Sequence, residues 1–350
     1  MTLLDRRTLL TSTVAGVALL ATGCGTGSGG SGEAAGGAST GATGSGAAGA
    51  FPVTIKHALG TATIPAAPKR VVTLGQGAAE TAIALGVIPV GTETYAWGAD
   101  KDGHLPWVKE AVQAAGGTLP TTFTGGQQVD VEKIAELSPD LILAPWSGIT
   151  AAEYDQLKDI APTVAYAKTP WATTWDGEIT TVATALGKPD QAPVLIKKID
   201  DTLAAAAKAH PRWAGKTFAY TYTTGPGTLG VYMPQEQRVT MISKLGLTLD
   251  PVIATLQPKD GADYTLIGLE NANKLKDADL LFTFYMDAAT KKQVESQPLY
   301  AAIPAVKRGT VVTSSDQQLV TAMSMINPLT VPWALPRLST LIDEKVALLG

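Results

Sequence analysis

The chain has 350 residues, 45% of them hydrophobic, which is enough for more than one buried core. Its 27 Lys and Arg against 31 Asp and Glu give a formal charge of −4 without a long basic run, which argues against nucleic acid or an anionic lipid surface as a partner. Beyond the N-terminus no run of about 18 apolar residues occurs, so no spanning helix is expected in the body of the protein.

Residues 1–23 read as an export signal: Arg6 and Arg7, an apolar run from Leu9 to Ala21, then small residues. The twin arginines resemble a signal for the route that exports folded proteins, although Asp5 stands where Ser or Thr is common. Ala21-Thr22-Gly23-Cys24 resembles a lipobox with Ala21 in place of the more usual Leu, and it marks Cys24, the one cysteine, for lipidation. A single cysteine excludes an internal disulfide. The rest of 24–50 is almost wholly Gly, Ser, Ala and Thr, too poor in apolar bulk to offset ordering entropy, and reads as a tether reaching roughly 25–30 Å. Together these features place the folded body at the outer face of the cytoplasmic membrane, held there by lipid alone.

The body opens with two alternating runs, Phe51 to Pro65, broken at Leu59-Gly60 as a hairpin is. Val71 to Leu74 then reads as a buried strand, Ala78 to Leu85 as a helix stopped by Gly86, and Ile88 to Val90 as a second strand, a βαβ unit. Helix followed by strand recurs at VDVEKIAELSPDLILAPW and at LKDIAPTVAY, completing an N-terminal lobe over 51–168. A connecting segment, 169–212, contains the stretch around which the chain is organised, a helix over about 190–210. Asp190 is placed to cap it, Pro193 falls in its first turn, Leu195, Ile199 and Leu203 repeat every four residues, and Pro211 ends it.

A C-terminal lobe, 213–350, follows, with a strand at KTFAYTYTT, a helix from Gln237 to Leu245, helix and strand in IGLENANKLKDADLLFTFY, and a closing strand in LYAAIPAVKRGTVVTS. The halves answer one another: Glu132, Leu137 and Asp140-Leu141 are matched by Glu270, Leu275 and Asp279-Leu280. This is the pattern of two α/β lobes with parallel sheets, related by rough twofold symmetry and joined by one long helix.

Gly75-Gln76-Gly77 between strand and helix, with Glu93 further on, has the layout of a dinucleotide fingerprint. Glu80 occupies the third small position, however, and an exported chain meets no nicotinamide pool, so a tight turn is the better reading. His57, His104 and His210 lack ligand spacing, and no nucleophile elbow occurs, so neither a metal site nor an enzyme is indicated. Aromatic residues instead gather where strands end: Trp97 (with Tyr95), Trp146, Trp171, Tyr222 and Tyr285. Open parallel sheets bind ligands there, so these five, joined by Arg238 at the start of a helix, form the candidate ligand set for a flat, partly apolar ligand held between the lobes. Glu132 and Glu270 stand in equivalent first turns, where they could cap their helices or project together from the two lobe tips toward a two-subunit, positively charged partner.

The segments GTATIPAAPKRVVTL, AAETAIALGVIPVG, VDVEKIAELSPDLILA, TLIGLENANKLKDADLLF and PLYAAIPAVKRGTVV together resemble the substrate-binding lipoproteins of ABC importers for ferric siderophores, a group that includes cobalamin and haem binders. The resemblance spans nearly all of 51–350. It implies a non-enzymatic, cofactor-free, monomeric receptor with two α/β lobes on a helical spine, which passes a ferric siderophore to a permease dimer and its ATPase. It also implies that Glu132 and Glu270 dock on that dimer. The scarcity of arginine favours a hydroxamate or mixed-ligand siderophore over a highly charged tricatecholate. Cobalamin or haem is the alternative within the fold, with Tyr222, Tyr285 and Met286 as axial candidates for haem. A surface interaction or sensing protein is the alternative outside transport.

Overall fold

The computed structural model describes residues 50–125, 128–223, 225–259 and 262–350. The export signal, Cys24 and all but the last residue of the tether lie outside them. A hairpin of β1 (Val53–His57) and β2 (Gly60–Ile64) leads into β3 (Val71–Thr73), α1 (Ala78–Ala84), β4 (Gly91–Glu93), α2 (Pro106–Ala114), β5 (Thr121–Phe123), α3 (Val131–Glu136), β6 (Leu141–Leu143), α4 (Ala151–Ile160) and β7 (Thr163–Val164). Strands β3 to β7 form one parallel sheet in the order β5-β4-β3-β6-β7. The expected strand at Ile88 to Val90 forms three residues later, as β4. Pro89 has no amide hydrogen to pair, and the first ladder bond of this strand is Val90 N to Val71 O, 2.8 Å.

Helices α5 (Trp175–Ala185) and α6 (Ala192–Ala209) carry the chain across. Asp190 does not cap α6: it lies in a 3-10 turn, Pro189–Gln191, and the capping position, Gln191, makes no side-chain bond to the helix. Beyond it come β8 (Thr217–Tyr222), β9 (Gly230–Tyr232), α7 (Gln237–Lys244), β10 (Thr248–Leu249), β11 (Tyr264–Leu266), β12 (Leu280–Phe282), α8 (Ala288–Glu295), α9 (Pro298–Ala301), α10 (Pro304–Arg308), β13 (Val311–Val312), α11 (Gln317–Ala322) and α12 (Thr330–Val346). The second sheet runs β11-β9-β8-β12-β13 with β10 beside β8. It is mixed rather than wholly parallel, because β9 is antiparallel to both β8 and β11. The helix expected before β12 is a 3-10 helix, Leu269–Leu275.

The internal repeat has a shared physical role. Asp140 accepts the amides of Lys69 and Arg70 at 2.8 Å each, just before β3, and Asp279 accepts the amide of Thr217, 2.9 Å, at the start of β8. In each lobe the aspartate that opens the second parallel strand holds the entry of the first.

One hydrophobic cluster crosses between the lobes. It joins Val71, Ala78 and Trp107 of the first to Phe218, Tyr220 and Val239 of the second through Ile199 and Leu203 of α6 and Leu338 and Ile342 of α12. Helix α12 ties both sides: Trp213 and His210, stacked 4.1 Å apart at the end of α6, bond to Asp343, and Trp333 packs edge-on against Trp107 at 5.1 Å.

Inside the first lobe, Glu80 of α1 and Glu178 of α5 are both buried. Trp107 donates to Glu80 at 2.9 Å, whereas Glu178 Oε1 has no hydrogen-bond donor among the described residues. Burial, and then the charge of Glu80, push the Glu178 carboxyl well above its ordinary value of 4.5. The unfolded chain releases this proton at lower pH than the folded one, so stability falls as pH rises from about 4.5 toward the folded pKa. Glu178→Gln is expected to raise stability by about 1–3 kcal/mol at pH 7.5 and to lose that advantage near pH 4, measured as urea midpoints at the two pH values.

Candidate functional site

The strand ends of the first lobe close on one another. Gly75 has φ 75° and lies so near the Trp146 carbonyl oxygen that a Cβ would stand 2.0 Å from it. Its amide donates to Glu93 Oε2 at 2.8 Å, and the Gln76 amide donates to Trp146 O at 3.3 Å. Gly77 is similarly covered by the Glu178 carboxylate. The glycine turn is thus filled by its own protein, with two glutamate carboxyl groups where a dinucleotide would need amides open to phosphate.

Trp146 and Trp171 form an edge-to-face pair 4.8 Å apart. Trp171 is held at φ 61° with its amide on Ser147 O, 3.1 Å, and lies flush against Gly148, where a Cβ would come within 2.5 Å of the indole. It nevertheless remains 41% exposed, a large apolar surface presented at the end of β7. Facing it, a gap of about 410 Å³ separates Thr169 to Ala172 from Ala262, Asp263 and Tyr264 of the second lobe. That volume is within the usual range for a small-molecule site.

The second lobe contributes a tyrosine surface. Tyr222 of β8 joins Tyr232 and Tyr264 from the neighbouring strands, 5.1 Å from the first and 5.4 Å from the second, while Tyr220, on the same face of β8, is buried against Tyr232 and Phe282. Gly230, paired with Tyr222, leaves room for that ring. Burial raises the pKa of Tyr220, Tyr222 and Tyr232, so all three keep their protons at neutral pH.

Arg238 lies against this surface, with its guanidinium 4.8 Å over Tyr232 and 5.7 Å from Phe284, and Nε donates to Ser324 Oγ at 3.1 Å. Glu236 caps α7 by accepting the Arg238 amide at 2.7 Å and also pairs with the Arg238 guanidinium. The arginine side chain is 19% exposed and the glutamate 4%. Burial opposes the cation, but Glu236 and the surrounding tyrosines hold the Arg238 pKa above its ordinary value. The cleft therefore offers a fixed guanidinium whose charge is already balanced.

Two members of the expected ligand set are used otherwise. Trp97 spends its carbonyl on Thr321 Oγ1, 2.9 Å, and its ring on Phe284, 5.7 Å. Tyr285 is only 8% exposed, and its hydroxyl bonds Tyr300, 3.0 Å, and Glu295, 3.3 Å, within the core behind the sheet. Side chains alternate along a strand, so Phe284, one residue earlier, takes the cleft-side position instead. Tyr95, Tyr232, Glu236 and Ser324 also belong to the site or its support. Glu132 and Glu270 are exposed, each in the first turn of the helix that precedes an equivalent strand, β6 or β12. The capping of α3 falls to Asp130, which accepts the Lys133 amide at 3.0 Å.

A sequence profile described as periplasmic binding protein matches residues 71–317. This chain is a periplasmic binding protein. It is a solute receptor and not an enzyme. The binding protein is 30% identical to the "Probable siderophore-binding lipoprotein YfiY" of Bacillus subtilis (strain 168), over 77% of this chain and 82% of the relative. It is likewise 30% identical to the "Ferric enterobactin-binding periplasmic protein FepB" of Escherichia coli O6:H1, over 73% and 82%. Among solved structures, that of Streptococcus pneumoniae TIGR4 PiaA in complex with ferrichrome is similar at a TM-score of 0.78 and 29% identity, covering 85% of this chain and 99% of that one.

Because the buried cation depends on its partner, Glu236→Ala is expected to destabilise this binding protein by about 3–5 kcal/mol in chemical denaturation, more than Arg238→Met, which removes the charge along with its need for a partner.

Proposed function

We propose that this periplasmic binding protein captures a ferric siderophore of the hydroxamate class between its lobes and delivers it to an ABC permease. The observation that carries this reading is the balanced guanidinium of Arg238 set among tyrosines of the second lobe, with Trp171 of the Trp146 and Trp171 pair facing Tyr264 of that same aromatic face across the gap. A ferric hydroxamate reaches the protein with its iron already coordinated, so the receptor needs hydrogen-bond donors for the chelating oxygens and apolar surface for the rest. Arg238 and the half-buried Tyr222 and Tyr232 supply the first, and the tryptophans supply the second. A triply charged ferric catecholate would want several unpaired cations. Relatives named for siderophore binding, for ferric enterobactin and for ferrichrome support a siderophore as ligand, while the choice of a hydroxamate rests on the charge of the cleft. Haem is a poorer match, because Tyr285 is turned into the core and Tyr222 is packed between Tyr232 and Tyr264.

In this reading Trp146, Trp171, Tyr222 and Arg238 contact the ligand, Trp97 borders it, and Tyr285 supports the sheet from behind. Residues 1–23 are removed on export, Cys24 carries the lipid, 24–50 is the tether, and lobes 51–168 and 213–350 are joined by 169–212. The monomer then docks on the permease dimer through Glu132 and Glu270.

Tryptophan-fluorescence titration with ferrichrome, ferric enterobactin, haem and cobalamin, each beside its metal-free form where one exists, tests the ligand class. Saturation by the ferric hydroxamate alone is expected, weakened roughly tenfold or more in Trp171→Ala. Binding of haem or cobalamin in preference would replace the proposal. The double variant Glu132→Arg with Glu270→Arg is expected to keep that affinity while cellular uptake of labelled ligand falls to background; unchanged uptake would remove these residues from docking.

A further inference from the structure

The two ends of the cleft are built differently. At one end, formed beyond β6 and β7 and at the start of β11, the gap of about 410 Å³ separates Trp171 from Asp263 and Tyr264. At the other, formed beyond β4 and β12 and by α11, the lobes touch. Thr321 Oγ1 donates to the Trp97 carbonyl at 2.9 Å, and the Trp97 ring meets Phe284 edge-on at 5.7 Å. Gly98 completes the contact at φ 95°, so close to α11 that a Cβ would lie 2.6 Å from Thr321 Oγ1 and 3.0 Å from Thr321 Cβ. Both the backbone conformation and the lack of space require glycine there.

We propose that this contact is a bar that shuts one end of the cleft, so that ligand enters and projects only past Trp171, and that Gly98 and Thr321 are positioning residues that set the width of the cleft. Three observations bear on it. Thr321 is buried, so its bond to the other lobe is sheltered from water. Its hydroxyl also lies 2.8 Å from Gln317 O in its own helix, so the proton has a second acceptor when the lobes part, and the bar can open and reform. Phe284 is shared by Trp97 and Arg238, which couples the bar to the cation that the ligand is proposed to meet. The consequence for selectivity is directional: bulk is tolerated on the side of a ligand that faces Trp171 and refused on the side that faces Trp97. The part of this inference that concerns ligand rests on the siderophore reading, whereas the bar itself does not.

The test uses the full-length chain carrying Cys24→Ser, with spin labels on Lys101→Cys, which follows Gly98 in sequence, and Ala289→Cys, which follows Phe284, both exposed and one in each lobe. Without ligand, pulsed dipolar spectroscopy is expected to give one narrow distance distribution in the parent. A longer or broader one is expected in Gly98→Ala, which wedges the contact, and in Thr321→Val, which keeps shape and backbone but loses the hydrogen bond. With ferrichrome as probe, both variants are expected to release ligand roughly 5- to 10-fold faster, the effect of one hydrogen bond. Thr321→Val guards against a glycine variant that merely misfolds, and circular dichroism checks both. A broad distribution in the parent, or unchanged distances in both variants, overturns the bar. Altered distances with unchanged release overturn its role in confining ligand. If the parent does not bind ferrichrome, the siderophore reading fails, and the ligand-free distances still decide whether the bar exists.

Discussion

The arrangement of the cleft depends on a hydrophobic core that belongs to neither lobe alone. Ile199 and Leu203 of α6 lie in the same cluster as Val71 and Trp107 on one side and Phe218, Tyr220 and Val239 on the other. Helix α12 returns from the second lobe to close this cluster with Leu338 and Ile342, and it is fastened by Trp213 and His210 on Asp343 and by Trp333 on Trp107. Opening the lobes widely would expose these side chains, and each large aliphatic group removed from such packing costs about 2–5 kcal/mol. The accessible motion is therefore a small rocking about packed helices, not the swing of a flexible hinge.

A cleft of nearly constant width places its demands on chemistry instead of on closure. The strand ends supply surfaces that need no induced fit: the Trp146 and Trp171 pair is set by a glycine at 148 and by backbone bonds, and the tyrosine face follows from side-chain alternation on β8 with a glycine opposite. Arg238 is fixed by Glu236, Ser324 and Tyr232 before any ligand arrives. Groups ordered in advance lose little entropy on binding, so the proposed interlobe site would not need closure to hold its ligand. The same balance of charge that keeps Arg238 tolerable in a buried setting makes the site better suited to a neutral complex than to an anion.

How much of this was legible in the sequence depended on whether a local pattern or a distant contact decided the outcome. The strand at Val71 and helix α1 were readable because apolar period and the Gly86 stop agree, and α6 because Ile199 and Leu203 repeat at helical spacing. The repeat was readable because Asp140 and Asp279 perform one task in both lobes. Helix α12 was hidden by Pro332 and Pro336, yet it forms because Val331, Ala334, Leu338 and Ile342 bury a continuous stripe. The candidate site was legible in height but not in facing. Strand ends located Trp146, Trp171 and Tyr222, whereas the direction of Tyr285 turned on a single residue of strand phase that local sequence does not reveal. Tyr232 escaped notice because it lies on β9, an antiparallel strand inserted into a pattern read as parallel. Trp97 was placed at the cleft, but its contacts with Phe284 after β12 and with Thr321 of α11 depend on elements far along the chain.

Small-angle X-ray scattering of the protein with and without a saturating ferric hydroxamate tests the central claim most directly, because it reads the relation of the lobes without altering a residue. A shared core predicts superimposable profiles and an unchanged radius of gyration. A clear contraction on loading, of the kind produced by hinge closure of two independent lobes, would contradict it.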